Sequence, residues 1–169
     1  MKLLFNYLFY YTYKWIMLIG INIFEVPTLK LLTLVPVFKR NWARNKRKHR
    51  IIIDNPEYGF AIGFAFYYML SSTILFVASI QLLIVAFLNI KLGTKYDTEI
   101  FCGIFFTISY TLNELLLGWH SNKYMKYFVK FDKISNKRNG CLVAALFHIG
   151  AITFFIISIL LIKNYREGW

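Results

Sequence analysis

Acidic side chains are scarce in this chain of 169 residues. Eight Asp and Glu stand against twenty Lys and Arg, and charged residues make up only 17% of the whole. Soluble domains carry about a quarter, so the deficit argues against a fold surrounded by water. Cysteine is nearly missing too. Cys102 opens one apolar run and Cys141 opens the next. Successive antiparallel runs put the two near opposite faces of a bilayer, beyond the ~7 Å Cα separation a disulfide tolerates. The polar inventory contains no nucleophile–base arrangement, no glycine-rich phosphate loop and no paired catalytic carboxylates. The enzymatic reading left open is lipid modification using Glu114, His120 or His148. The same three residues match no established metal-ligand spacing, and no cofactor is expected.

What is present is apolar: 58% hydrophobic, 20% aromatic and a mean hydropathy of +0.51. Residues 59–90 contain no charged side chain. As a helix rising ~1.5 Å per residue this run is about 48 Å long, against a hydrocarbon core of ~30 Å. Residues 100–119 carry one charge, Glu114, and residues 140–162 carry none beyond His148. Backbone groups cannot stay unpaired in lipid and alternating barrel patterning is missing, so each run is expected to be a spanning helix. The fold class expected is all-α, an integral membrane helical bundle, residues 1–169 forming a single membrane domain.

The basic residues are clustered. Residues 39–58 include the run KRNWARNKRKHR, and residues 120–139 form a second basic segment. The turn between the first two spans, 91–99, carries Lys91 and Lys95 against Asp97. The positive-inside bias places both clusters in the cytoplasm, with the turn and the tail 163–169 outside. Beside a span, topology explains the first cluster better than nucleic-acid binding does.

Residues 1–38 have two readings. The opening lacks a small-residue cleavage site and is expected to remain in the mature protein. Phe5, Phe9, Ile16 and Ile19 would line one helical face, with Asn6, Tyr10, Tyr13 and Lys14 on another, which suits an interfacial or re-entrant helix. The alternative is a kinked fourth span containing Glu25, Pro27, Lys30 and Pro36, which would put the N-terminus outside.

Several features are candidates for specific roles. Glu114 and His148 fall at similar depths on consecutive spans and are expected to form an intramembrane polar pair, joined by Asn113, as a structural clasp or a proton relay. Gly59 and Gly63, with Ala61 and Ala65 offset by two, form small-xxx-small patterns for helix packing. Lys123, Lys126, Lys130, Lys133 and Lys137 follow a three-four spacing that stacks them on one helix face beside Tyr124, Tyr127, Phe128, Phe131 and Ile134. That is a face for anionic membrane lipids, or an ordinary solvated extension. Asp54 and Glu57, with Pro56, are expected to cap the first long span, and Ser71–Thr73 is a place for it to bend.

The opening MKLLFNYLFYYTYKW, the stretch NPEYGFAIGFAFYYMLSSTILF and the segment KYMKYFVKFDKIS resemble a group of small hydrophobic membrane proteins of unknown function encoded in AT-rich Bacteroidetes genomes. The resemblance implies the three-span body and a bacterial inner-membrane location, and carries over no functional residue. Two function classes follow: a non-catalytic binder of a membrane protein or toxin partner, as an immunity or accessory subunit, or a homo-oligomeric channel or membrane-disrupting effector.

Overall fold

A computed structural model of the protein describes residues 1–19, 55–57, 59–88, 95–133 and 137–167. The described residues are helical: α1 (Lys2–Ile19), α2 (Phe60–Phe87), α3 (Lys95–Leu117), a short 3-10 turn (Trp119–Ser121), α4 (Tyr124–Asp132) and α5 (Lys137–Glu167). Three helices are long and apolar enough to cross a membrane, over Phe60–Phe87, Glu99–Ser121 and Asn139–Lys163. In the most apolar 18-residue window of each, only 22%, 17% and 17% is buried, so their outward faces are free for lipid or for other helices.

α2 and α5 run parallel and form the longest seam. Ser72 meets His148, and Phe76 meets Phe147 and Phe154. Small side chains recur every seventh position on both partners: Ala65, Ser72 and Ser79 on α2, and Ala144, Ala151 and Ser158 on α5, all buried. A seven-residue repeat keeps one stripe of a helix facing its neighbour, and small side chains let the backbones approach. The packing surface includes Gly59, which is buried, but is offset from Gly63. A Cβ at Gly63 would meet nothing within 4 Å, and Phe60 and Phe64 beside it are exposed. Ala61 and Ala65 are buried, so of the two small-residue patterns only the alanine pair faces the interior at both positions.

α3 runs antiparallel to α2, with Gln81 reaching the Phe101 carbonyl at one end and Phe66 stacked on Trp119 at the other. It buries Ser109, Asn113 and Leu117 at i, i+4 and i+8. α3 ends at Gly118, whose φ of +62° is the left-handed geometry glycine adopts without cost.

α1 is the centre of the bundle rather than a decoration on it. Every side chain from Leu8 to Tyr13 is buried, which requires neighbours all round the helix; α2, α3, α4 and α5 supply them. The expected division of α1 into an apolar and a polar face gives way to this arrangement, because Phe9 and Tyr10 are equally enclosed. Phe9 packs edge-on to Trp119 and Tyr124, and Tyr10 edge-on to Phe128. Tyr11 lies over Gly140, where a Cβ would come within 2.2 Å of its ring.

Both ends of the N-terminal region lie at the same end of the bundle. Asn6 donates to the carbonyl of Leu116, at the last turn of α3, and the Tyr124 hydroxyl donates to the carbonyl of Pro56. Glu25, Pro27, Lys30, Pro36, the basic cluster from Lys39 to Arg50, Asp54 and Lys91 lie outside the described residues. α2 itself begins at Gly59 with no side-chain cap. Instead Asn55 accepts the Glu57 N–H at 2.7 Å, a local turn before the helix. α2 is one helix through Ser71–Thr73: Thr73 donates back to the Met69 carbonyl. Cys102 and Cys141 are free thiols.

Candidate functional site

The structure separates the residues expected to meet. Glu114 and His148 sit on α3 and α5, and α1 and α2 occupy the space between those helices, each packing on both. Consecutive spans are usually neighbours, but the buried α1 takes the place that α3 would need beside α5. Glu114 therefore pairs within its own turn. Its carboxylate lies 2.8 Å from His120 Nδ1 and accepts the His120 backbone N–H at 3.3 Å. The pair is open to solvent, Glu114 being 32% and His120 67% exposed, so its contribution is that of a surface ion pair at most, ~0–1 kcal/mol. Asn113 joins neither residue. Its amide donates to the Ser109 carbonyl one turn back.

His148 belongs to a different constellation, formed by α1, α2 and α5. Its Nε2 lies 2.9 Å from Thr12 Oγ1 and its Nδ1 2.6 Å from Ser72 Oγ, all buried. Thr12 has one proton and donates it to the Leu8 carbonyl at 2.8 Å. Its oxygen is thus the acceptor for an Nε2–H, which leaves Nδ1 to accept from the Ser72 hydroxyl. Both ring nitrogens are satisfied by the neutral imidazole, and three helices are tied at one point. The Ser72–His148 contact has the spacing of a nucleophile and its base. Ser72 lies mid-helix, however, where its backbone N–H belongs to the helix ladder and offers no oxyanion donor. The geometry is that of a tie between helices.

A second tie joins α1 to α4. The Tyr10 hydroxyl donates to Asp132, whose carboxylate also lies 3.0 Å from Lys14 Nζ. Lys14 sits over the rings of Tyr10 and Tyr13 at 5.2 and 5.7 Å, within cation–π range.

α4 resolves which way its two faces point. Tyr124, Phe128 and Phe131 are buried against α1, while Lys123, Lys126, Lys130 and Lys133 are exposed. The aromatic face that would have entered a membrane surface is spent on the bundle, so these lysines act on lipid or solvent through charge alone. The side chain of Lys137 lies outside the described residues. Burial pushes the Tyr124 phenol up to about 12, with a smaller push from the nearby Glu57 carboxylate.

At the opposite end the bundle is open. α2 and α5 flank a cleft of about 860 Å³ lined by Ile80, Leu83, Ile84, Phe87, Leu161 and Ile162 among others, all apolar. Phe87 and Leu88 are 86% and 59% exposed there. Sequence reading missed this cleft, the His148 tie and the Tyr10–Asp132 tie. The seventh-position recurrence of small residues was the available signal for the α2–α5 pairing that creates the first two.

No protein-family model, curated protein or solved structure matches the chain.

Proposed function

We propose that the chain is a non-catalytic, multi-pass protein of the bacterial inner membrane that binds a partner's transmembrane helix as an immunity or accessory subunit. The cleft between α2 and α5 carries this reading. It is wholly apolar, lies at the end of the bundle away from α4, and has room for several large side chains from one incoming helix. Leaving it empty forfeits the dispersion contacts that hold helices together in lipid. The tied end, by contrast, holds Asn6, Tyr10 and Thr12 in hydrogen bonds within the chain. The four exposed lysines of α4 support a cytoplasmic placement of that end under the positive-inside bias. The resemblance to small Bacteroidetes membrane proteins supports the inner membrane as the location.

The test is photo-crosslinking in native membranes from positions 84 and 161, with position 108 on the exposed face of α3 as reference. The expected result is a discrete adduct to a membrane-embedded peptide of another protein from 84 and 161 and none from 108. Adducts to lipid alone from all three positions would refute the partner. Adducts between copies of this chain would replace it with the oligomeric channel or effector, which a strict monomer in nanodiscs would in turn refute.

A further inference from the structure

The geometry points to a binding pocket for a zwitterionic phospholipid headgroup, one carrying a phosphate and a primary ammonium, between the start of α1 and the end of α3. A pocket of about 300 Å³ with mixed polar and apolar walls opens there, lined by Lys2, Glu114, Ser121, Lys123 and Tyr127 and by residues 115–118. It differs in kind from the apolar cleft and lies at the other end of the bundle.

Its walls are fixed. The Asn6 amide donates to the Lys2 carbonyl and to the Leu116 carbonyl, both at 2.9 Å, and so clamps α1 to the last turn of α3. The Gly118 carbonyl accepts the Ser121 and Lys123 backbone N–H groups at 3.2 and 3.1 Å, which holds the turn into α4. Gly118 is at positive φ, and a Cβ there would meet Lys123 Cβ at 2.8 Å, so the turn is closed up to the pocket wall.

Its chemistry is of both signs. Lys2 and Lys123 supply two ammonium groups suited to a phosphate. Glu114, whose carboxylate also holds His120, and the negative end of the α3 dipole suit an ammonium. An anion alone would meet the carboxylate and the negative helix end; a cation alone would meet the two lysines. A ligand bearing both charges a few bonds apart satisfies both. The location selects a lipid as the source, because the candidate span that contains most of α3 ends at Ser121, the level at which headgroups would lie, and exposed Leu115 beside the pocket offers an apolar approach for the acyl chains.

The full chain, released into detergent from nanodiscs containing equal amounts of phosphatidylethanolamine, phosphatidylcholine and phosphatidylglycerol, is analysed by native mass spectrometry. The expected result is about tenfold enrichment of the ethanolamine lipid over both others, as charge-assisted hydrogen bonds at both ends require. Choline lacks N–H donors and the glycerol headgroup lacks the ammonium. Glu114→Gln is expected to erase the preference over phosphatidylcholine, and Lys2→Gln, at an exposed position that cannot unfold the bundle, to weaken retention of all three lipids several-fold. Lys133→Gln, on α4 away from the pocket, is expected to change nothing. Equal retention of the three lipids, or undiminished retention in Lys2→Gln together with an unchanged preference in Glu114→Gln, with native circular dichroism, would overturn the assignment. So would displacement of the lipid by equimolar soluble glycerophosphoethanolamine, which would mean that the acyl chains contribute nothing.

Discussion

Gly140→Ala is the sharpest test of how α1 is seated. In an ordinary helix the change is favourable by ~0.5–1 kcal/mol, because glycine loses more backbone freedom on ordering. Here the new methyl carbon would lie 2.2 Å from Tyr11 Cε1 and Cζ and 2.4 Å from Cδ1. Tyr11 has nowhere to retreat: it is fully buried, with Tyr7 and Tyr10 ring centroids 4.6 and 4.9 Å away. Overpacking of this kind costs ~1–3 kcal/mol. A contact this short belongs at the upper end of that range, so subtracting the helix gain leaves a net loss of about 2 kcal/mol. Gly63→Ala has no atom within 4 Å of the new carbon and is expected to be neutral or slightly stabilising. Both variants are unfolded reversibly in mixed micelles and followed by circular dichroism and tryptophan fluorescence. Tyr11→Leu in the Gly140→Ala background should recover part of the loss, since a shorter side chain vacates the ring position. If Gly140→Ala is as stable as Gly63→Ala, α1 is not packed against the start of α5 and the central position assigned to it fails.

Ser72→Ala removes the donor to His148 Nδ1 and leaves a buried acceptor unpaired, at an expected cost of about 1–2 kcal/mol in the same unfolding assay; no loss would mean that the hydroxyl and imidazole are not partners. A double-mutant cycle between Glu114 and His148 should give no coupling, and one between Glu114 and His120 less than ~1 kcal/mol; coupling with His148 would restore the interhelical pair. Tyr124→Phe should remove, from an absorbance titration at 295 nm, a phenol ionising at about 12 rather than near the usual 10. The folded state holds this phenol protonated, so its contribution to stability is complete below pH ~10 and is lost as the pH rises toward ~12. Wild-type stability should fall more steeply than that of Tyr124→Phe across that window, and equal slopes would refute the linkage. Single cysteines at Lys2 and Lys133 in a chain lacking Cys102 and Cys141 should react with an impermeant maleimide from the same side of a sealed vesicle, because both positions lie at one end of the bundle; opposite-side labelling would overturn that placement.

The long helices were legible because an uncharged stretch longer than ~20 residues leaves the chain few options. Their neighbours were less so. Hydropathy says that a residue avoids water but not which helix it faces, and in a membrane span nearly every position is apolar. Gly59 and Gly63 drew attention as a spacing, yet the contact surface runs through Ala65, Ser72 and Ser79, whose repeat of seven is visible only once Ala144, Ala151 and Ser158 are set beside it. The Glu114–His148 expectation rested on depth and on adjacency, and the adjacency fails. Depth follows from counting residues, whereas adjacency depended on where α1 goes, and its mixture of tyrosines, Asn6 and Thr12 gives no single face to follow. The lysine spacing of α4 was plain in the sequence. That its aromatic side turns toward the protein could be settled only by the partner rings of α1.

The position of α1 accounts for the asymmetry of the whole bundle. At Asn6, Tyr10 and Thr12 it holds α3, α4 and α5 respectively through side-chain hydrogen bonds, and the buried Thr12–His148 bond is shielded from water, which raises the cost of breaking it. At that end the helices cannot separate without exposing polar groups to lipid. At the end where α2 and α5 carry Ile84, Phe87 and Leu161, Gln81 reaches the Phe101 carbonyl of α3, and the cleft-lining contacts of α2 and α5 are apolar, non-directional and replaceable by equivalent contacts from another helix. On the proposed reading, recognition therefore falls to the open end. A partner that enters the cleft need not disturb the His148 tie, and substitutions at Ser72 and at Ile84 should act on separate properties, the first on stability and the second on binding.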